Sequence, residues 1–119
     1  MTKYLVLIAY EPGGWESASA EEQQAFHDQH HAFDAAVGAN LLGGQALDGP
    51  DAARTLRHVD GEPVVTDGPF AETAEMIGGF YLVEAADPDQ VVEWCKLLPP
   101  SYSLEIRPCI TIEGYEESA

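Results

Sequence analysis

The sequence predicts an α+β domain: an antiparallel sheet with two helices on one face and a β-hairpin inserted between its halves. Three observations predict it. The chain reads in the order strand, helix, strand, then a hairpin, then strand, helix, strand, a split βαβ arrangement with an insertion. Its strand candidates are short β-branched and aromatic runs, while its first helix candidate carries apolar residues at helical spacing. Finally, 119 residues, 45% of them hydrophobic, suffice for one compact core and therefore one domain, which we place at 1–112, with a polar tail at 113–119.

Residues 3–10 are almost continuously apolar and read as a central strand covered on both faces. Glu11-Pro12-Gly13-Gly14 ends it. Trp15, in the loop that follows, is either a lid or pocket wall or a packing plug over the core. Ser19-Ala20-Glu21-Glu22 forms a capping box, so a helix is predicted from about Ala20 to about Val37. Phe26, Phe33 and Val37 line its apolar face, and His30 falls on that same face. His27 lies one turn earlier on the flank, and His31 points towards solvent. Gly38 closes the helix.

A second strand is predicted over 41–47, where Gly43-Gly44 marks a bulge or a close backbone approach. Residues 53–66 read as a hairpin with one half-exposed face, turning at Asp60-Gly61. Residues 80–84 form another core strand. Asp87 caps a second helix that has Pro88 at its first position and ends at Pro99-Pro100. Val91, Val92, Trp94, Cys95 and Leu98 supply its buried side. The last strand runs over 104–112. Cys95 and Cys109 are expected to be buried thiols rather than a disulfide framework. Two helices cover only one face of the sheet. The other face is left apolar, which predicts a homodimer whose sheets pack face to face.

Five Lys and Arg against 21 Asp and Glu give a net charge of −16, which argues against nucleic acid and anionic membranes as partners. No apolar run approaches a membrane span, and the N-terminus lacks a signal-peptide layout, so the chain reads as cytoplasmic. There is no Gly-rich phosphate loop, no Gly-x-Ser-x-Gly elbow and no His-Glu-x-x-His pattern, so neither a cofactor nor a metal is expected.

The run from Val64 to Glu72 holds a β-branched strand, a turn with one carboxylate, and a Phe. We read it as a loop folded back to form one wall of a small-molecule pocket. Gly68, Pro69 and Phe70 would be its scaffold, with Phe70 packing the loop. Asp67 would carry the chemistry, although an Asp before Gly-Pro also suits turn formation. Glu72 would cap the loop or face the pocket. Arg54, Arg57 and Arg107 are three of the five cations. One of them, with Arg57 the candidate for the pocket, would clamp a substrate carboxylate; the alternative is pairing with surface acids.

The stretches Lys3 to Ile8, Gly43 to Leu47, Val64 to Glu72, Gly78 to Val83 and Leu104 to Pro108 together resemble the YCII-related family, and within it the group named for its Asp-Gly-Pro-Phe (DGPF) motif. The resemblance covers almost the whole chain. It implies a ferredoxin-like fold assembled as a dimeric α/β barrel, and a small-molecule enzyme using a His–Asp pair in a cleft. The His would be His27 or His30 and the Asp would be Asp67. A carboxylate on one ring nitrogen fixes the tautomer and raises the basicity of the other, which suits isomerase or lyase chemistry on a small polar substrate. The motif commonly carries a Lys where this chain has Ala74, so any role of that Lys is absent. The alternative reading is a non-catalytic dimeric ligand-binding or accessory protein.

Overall fold

The computed structural model describes residues 1–71 and 73–115. The opening strand β1 (Thr2–Tyr10) alternates, sending Tyr4, Val6 and Ile8 into the core. A one-turn helix α1 (Gly14–Ser17) follows and carries Trp15, where a loop was expected. Helix α2 (Ala20–Val37) has the predicted bounds. Its start is set by reciprocal bonds: the Glu22 amide donates to the Ser19 hydroxyl at 3.1 Å, and the Ser19 amide to the Glu22 carboxylate at 2.8 Å. That charge-assisted bonding holds the Glu22 carboxyl below the usual carboxylate range. Gly38, at φ 59°, ends the helix where a side chain would be strained.

Strand β2 (Leu41–Ala46) leads to a hairpin of β3 (Arg54–Val59) and β4 (Glu62–Asp67). Asp60 and Gly61 have φ of 52° and 82°, the two positive values that a tight two-residue hairpin turn requires. Strand β5 (Met76–Ala85) begins four residues before the predicted start, which puts Gly78 and Gly79 inside the ladder at a register shift opposite Ile8 and Ala9. Helix α3 (Pro88–Cys95) is capped by the Asp87 carboxylate, which accepts from the Gln90 amide at 2.9 Å. Strand β6 (Ser103–Pro108) is the last regular element among the described residues.

The four long-range strands form one sheet in the order β2-β5-β1-β6, with every neighbouring pair antiparallel. This is the ferredoxin-like arrangement that the sequence predicts. Helices α2 and α3 cover one face, where Phe33, Val37, Val91, Cys95 and Leu98 close over Tyr4, Val6, Val83 and Ala85. Burial pushes the Cys95 thiol up to about 11, keeping it protonated and inert.

Three expectations are corrected. The last strand stops at Pro108 rather than residue 112, and Cys109, past its end, is exposed rather than buried. Proline has no N–H to continue the ladder, and only the Cys109 amide makes one further bond, to the Lys3 carbonyl at 2.8 Å. Val92 is exposed, because α3 presents Val91 and Cys95 to the core. In the expected polar tail, residues 113–115 make a turn closed by the Tyr115 amide on the Ile112 carbonyl, and residues 116–119 lie outside the described part.

The hairpin stands apart as its own two-stranded sheet, and exposure runs along both of its strands rather than one face. The radius of gyration is 16.8 Å. A compact chain of this length would have about 13.5 Å; the separate hairpin and the exposed stretch after β6 both lie outside the packed layers. The hairpin's own ladder is extended at the base, where the Gly68 amide donates to the Ala53 carbonyl at 2.8 Å, and there Ala53 and Pro69 share a surface groove with Leu47, Met76 and Ile77.

Two phenylalanines test this layering. Phe33 has no exposed surface and packs on the Tyr81 ring at 4.6 Å, whereas Phe70 is 77% exposed. Phe33→Ala is expected to cost about 3–5 kcal/mol in chemical denaturation. Phe70→Ala should stay within about 0.5 kcal/mol of the parent.

Candidate functional site

At the end of the sheet where β1 finishes and β5 starts lies an open cavity of about 1110 Å3. That is roomy for a small-molecule site, which typically spans about 300–1,000 Å3. His30 lies on its floor, one turn before Phe33 on the inward face of α2. His30 Nδ1 is 2.7 Å from the Tyr81 hydroxyl, and Nε2 is 2.9 Å from the Tyr102 hydroxyl. Tyr81 comes from β5 and Tyr102 from the turn between α3 and β6.

Local sequence positions each partner. Pro99 is fully buried, and its carbonyl accepts from the Tyr102 amide at 3.1 Å, so the Pro99-Pro100 break aims Tyr102 back at α2. Tyr10, at the end of β1, stacks on Tyr102 with ring centres 5.5 Å apart, and Phe26 meets the same ring edge-on at 5.4 Å. Two glycines make room. A Cβ at Gly44 would lie 2.7 Å from the Tyr81 ring, and one at Gly78 would overlap the Tyr10 ring. Gly44 thus has the close approach anticipated from the Gly43-Gly44 pair.

A neutral imidazole has one donor and one acceptor nitrogen. One tyrosine therefore donates its O–H to the ring, and the other accepts the ring N–H and keeps its own O–H for the cavity. Desolvation dominates the titration. Burial pulls the His30 pKa below its ordinary 6.5, outweighing Asp34, which raises it, with His27 and His31 adding to the lowering. Burial also pushes both phenols up, Tyr81 and Tyr102 each to about 12. At neutral pH the cluster is uncharged and hydrogen-bonded end to end.

Of the residues predicted from sequence, His30, His27 and Trp15 line this cavity. Trp15 is 44% exposed and packs edge-on against Phe26 and His27, with ring centres 5.7 and 5.4 Å apart, so it is a wall of the cavity rather than a plug in the core. His31 is exposed, as expected.

Within the chain, the Asp67 loop is not brought to the cavity. Both ring nitrogens of His30 are taken by tyrosines, and the Asp67 side chain is 93% exposed, 3.9 Å from Arg54. The reason is local bonding. Gly68, at φ 101°, turns the chain onto the hairpin base, where its carbonyl accepts from the Thr55 hydroxyl at 2.8 Å. Arg57 donates to the Phe70 carbonyl, so it pins the loop rather than a substrate, and Phe70 packs against little. Arg107 lies beside Glu105 at 3.9 Å. Glu72 lies outside the described residues. Among the loop's described residues, Ala74 and Glu75, at its far end, line the cavity.

A family model for the YCII-related domain matches residues 2–108. The chain belongs to the YCII-related domain family. One curated relative, an uncharacterized protein of Rhizobium meliloti (strain 1021), is 48% identical over 61 residues, covering 48% of this chain and 49% of the relative. The chain thus aligns with about half the length of that relative. Among the described residues, no helix of this YCII-related chain is long and apolar enough to cross a membrane.

The titration of His30 gives a signed expectation. Its folded pKa lies below the unfolded value near 6.5, so its contribution to stability is full above that value and is lost as pH falls through the depressed one. From about pH 7.5 to about pH 5.5, the melting-temperature difference between the parent and His30→Gln should shift in the variant's favour. A difference that is flat with pH would show that His30 is not desolvated.

Proposed function

We propose that this YCII-related domain is a small-molecule enzyme that needs no cofactor, with His30 as the acid–base group, and that it performs isomerase- or lyase-type proton transfer on a small polar substrate. The observation that carries the reading is the bonding of His30 to Tyr81 and Tyr102 on the floor of a ligand-sized cavity. A substrate proton enters at the oxygen of the tyrosine that donates to His30, and that tyrosine's own proton moves onto the acceptor nitrogen. The opposite ring N–H passes to the second tyrosine. The tyrosine left with a free O–H supplies a proton, and the hydrogen bond through the imidazole links the two. The tyrosines thus take the orienting place that sequence reasoning gave to Asp67. The Asp67-Gly68-Pro69-Phe70 run supports a place in the DGPF-motif subgroup, where its role is to close the hairpin base.

A metabolite-pool turnover screen tests the assignment. The parent should deplete a substrate, and His30→Gln should slow turnover by about 10²–10⁴-fold with the fold intact. Tyr102→Phe should show a smaller loss and a changed pH profile. Binding without turnover would instead support the alternative, a ligand-binding or accessory protein, which is favoured by the fact that both His30 nitrogens already have protein partners.

The sheet face away from the helices supports a homodimer. Leu5 pairs across from Leu82 and Leu7 from Phe80, which forms an apolar patch opposite the Tyr4, Val6 and Ile8 face. Gln45 pairs with Phe80, and both border the cavity, so a second copy on this face approaches its edge. Leu7→Asp should convert a dimer into a monomer in sedimentation analysis, and an unchanged mass would remove this interface.

A further inference from the structure

We propose that the cavity selects a cation: a protonated amine or quaternary ammonium with an aromatic or apolar body. This deepens the reading of the cavity as a ligand site and rests on it. The fold brings three carboxylates to the cavity from separate elements: Glu11 after β1, Glu22 in the first turn of α2 and Glu75 just before β5. No Lys or Arg is among the described residues that line it. The arginines predicted to clamp a carboxylate are engaged elsewhere, at Asp67, Phe70 and Glu105.

Two of the carboxylates are held in place. Glu22 is bonded in the capping box, and the one Ser103 hydroxyl proton is shared between the two oxygens of Glu75, 3.1 and 2.8 Å from the hydroxyl oxygen. These bonds orient two of the three exposed carboxylates. Inside, Trp15, Phe26 and Tyr102 present aromatic surface, whose negative π-faces attract organic cations. His30 adds no opposing charge, because burial favours its neutral form. An anion would meet three carboxylates and no Lys or Arg among the described lining residues. The net charge of −16 extends the same field outwards, concentrating cations at the mouth.

Three probes of similar size separate the possibilities: benzylammonium, benzyl alcohol and benzoate. Binding is read from the fluorescence of Trp15, with Trp15→Phe as the blank for Trp94, and from the thermal shift of the full chain. Benzylammonium should bind at least about tenfold more tightly than benzoate at low salt, and the gap should narrow as salt rises. The Glu11→Gln/Glu75→Gln double variant should weaken benzylammonium about tenfold. Glu93→Gln, which removes a charge on α3 beside Lys96, should leave it unchanged. Equal or tighter binding of benzoate overturns the cation assignment while leaving the cavity a ligand site. So does a double variant that binds like the parent. If none of the three probes perturbs Trp15 or the melting temperature, the cavity is not a ligand site and both readings fall.

Discussion

A half-buried histidine must find a partner for each ring nitrogen, and that requirement organises the end of this molecule. His30 meets it with Tyr81 and Tyr102, which tie α2 to β5 and to the turn before β6. Leaving either nitrogen unpaired would cost on the order of 1–3 kcal/mol. The neighbouring chemistry follows from satisfying both. Tyr81 needs a strand neighbour without a side chain, which Gly44 provides, and Tyr10 needs the same from Gly78. Phe33 fixes the Tyr81 ring from below, and Tyr10 and Phe26 brace Tyr102 from the sides. The cavity is the space left above this bracket.

The parts of the fold that local chemistry decides were legible in the sequence. The Ser19–Glu22 box set the start of α2 and Gly38 its end, and Asp60-Gly61 set the hairpin turn. The order of apolar runs gave the sheet its topology. His30 was found because helical spacing placed it on the face of Phe33. Its partners were not found. Tyr81 and Tyr102 lie 51 and 72 residues away along the chain, and a tyrosine in a strand looks the same whether its hydroxyl meets water or an imidazole. The one usable hint was the glycine opposite Tyr81, whose Gly43-Gly44 pair marks either a bulge or a close approach without naming the partner.

Within the chain, Asp67 lies away from the cavity for a related reason. A carboxylate before Gly-Pro looks alike whether it shapes a turn or serves a cleft. The deciding contacts, Thr55 to Gly68 and Ala53 to Gly68, are made by β3 and its approach, which the local pattern of the motif does not reveal. Phe70 was expected to pack because of its size. Once Gly68 turns the backbone onto the hairpin base, its ring has no core within reach.

The hairpin shares no ladder with the four-stranded sheet, and its root borders the sheet end beside Leu47, Met76 and Ile77. Its contacts are between residues near one another in the chain, so it can form and open without waiting for the rest of the domain. For the lineage this makes it a region of tolerance. Strands can lengthen by pairs, and exposed positions such as Leu56 and Val65 can exchange, without disturbing the packing that holds His30. New recognition surfaces can therefore be tried on the arm while the chemistry of the cavity is inherited intact.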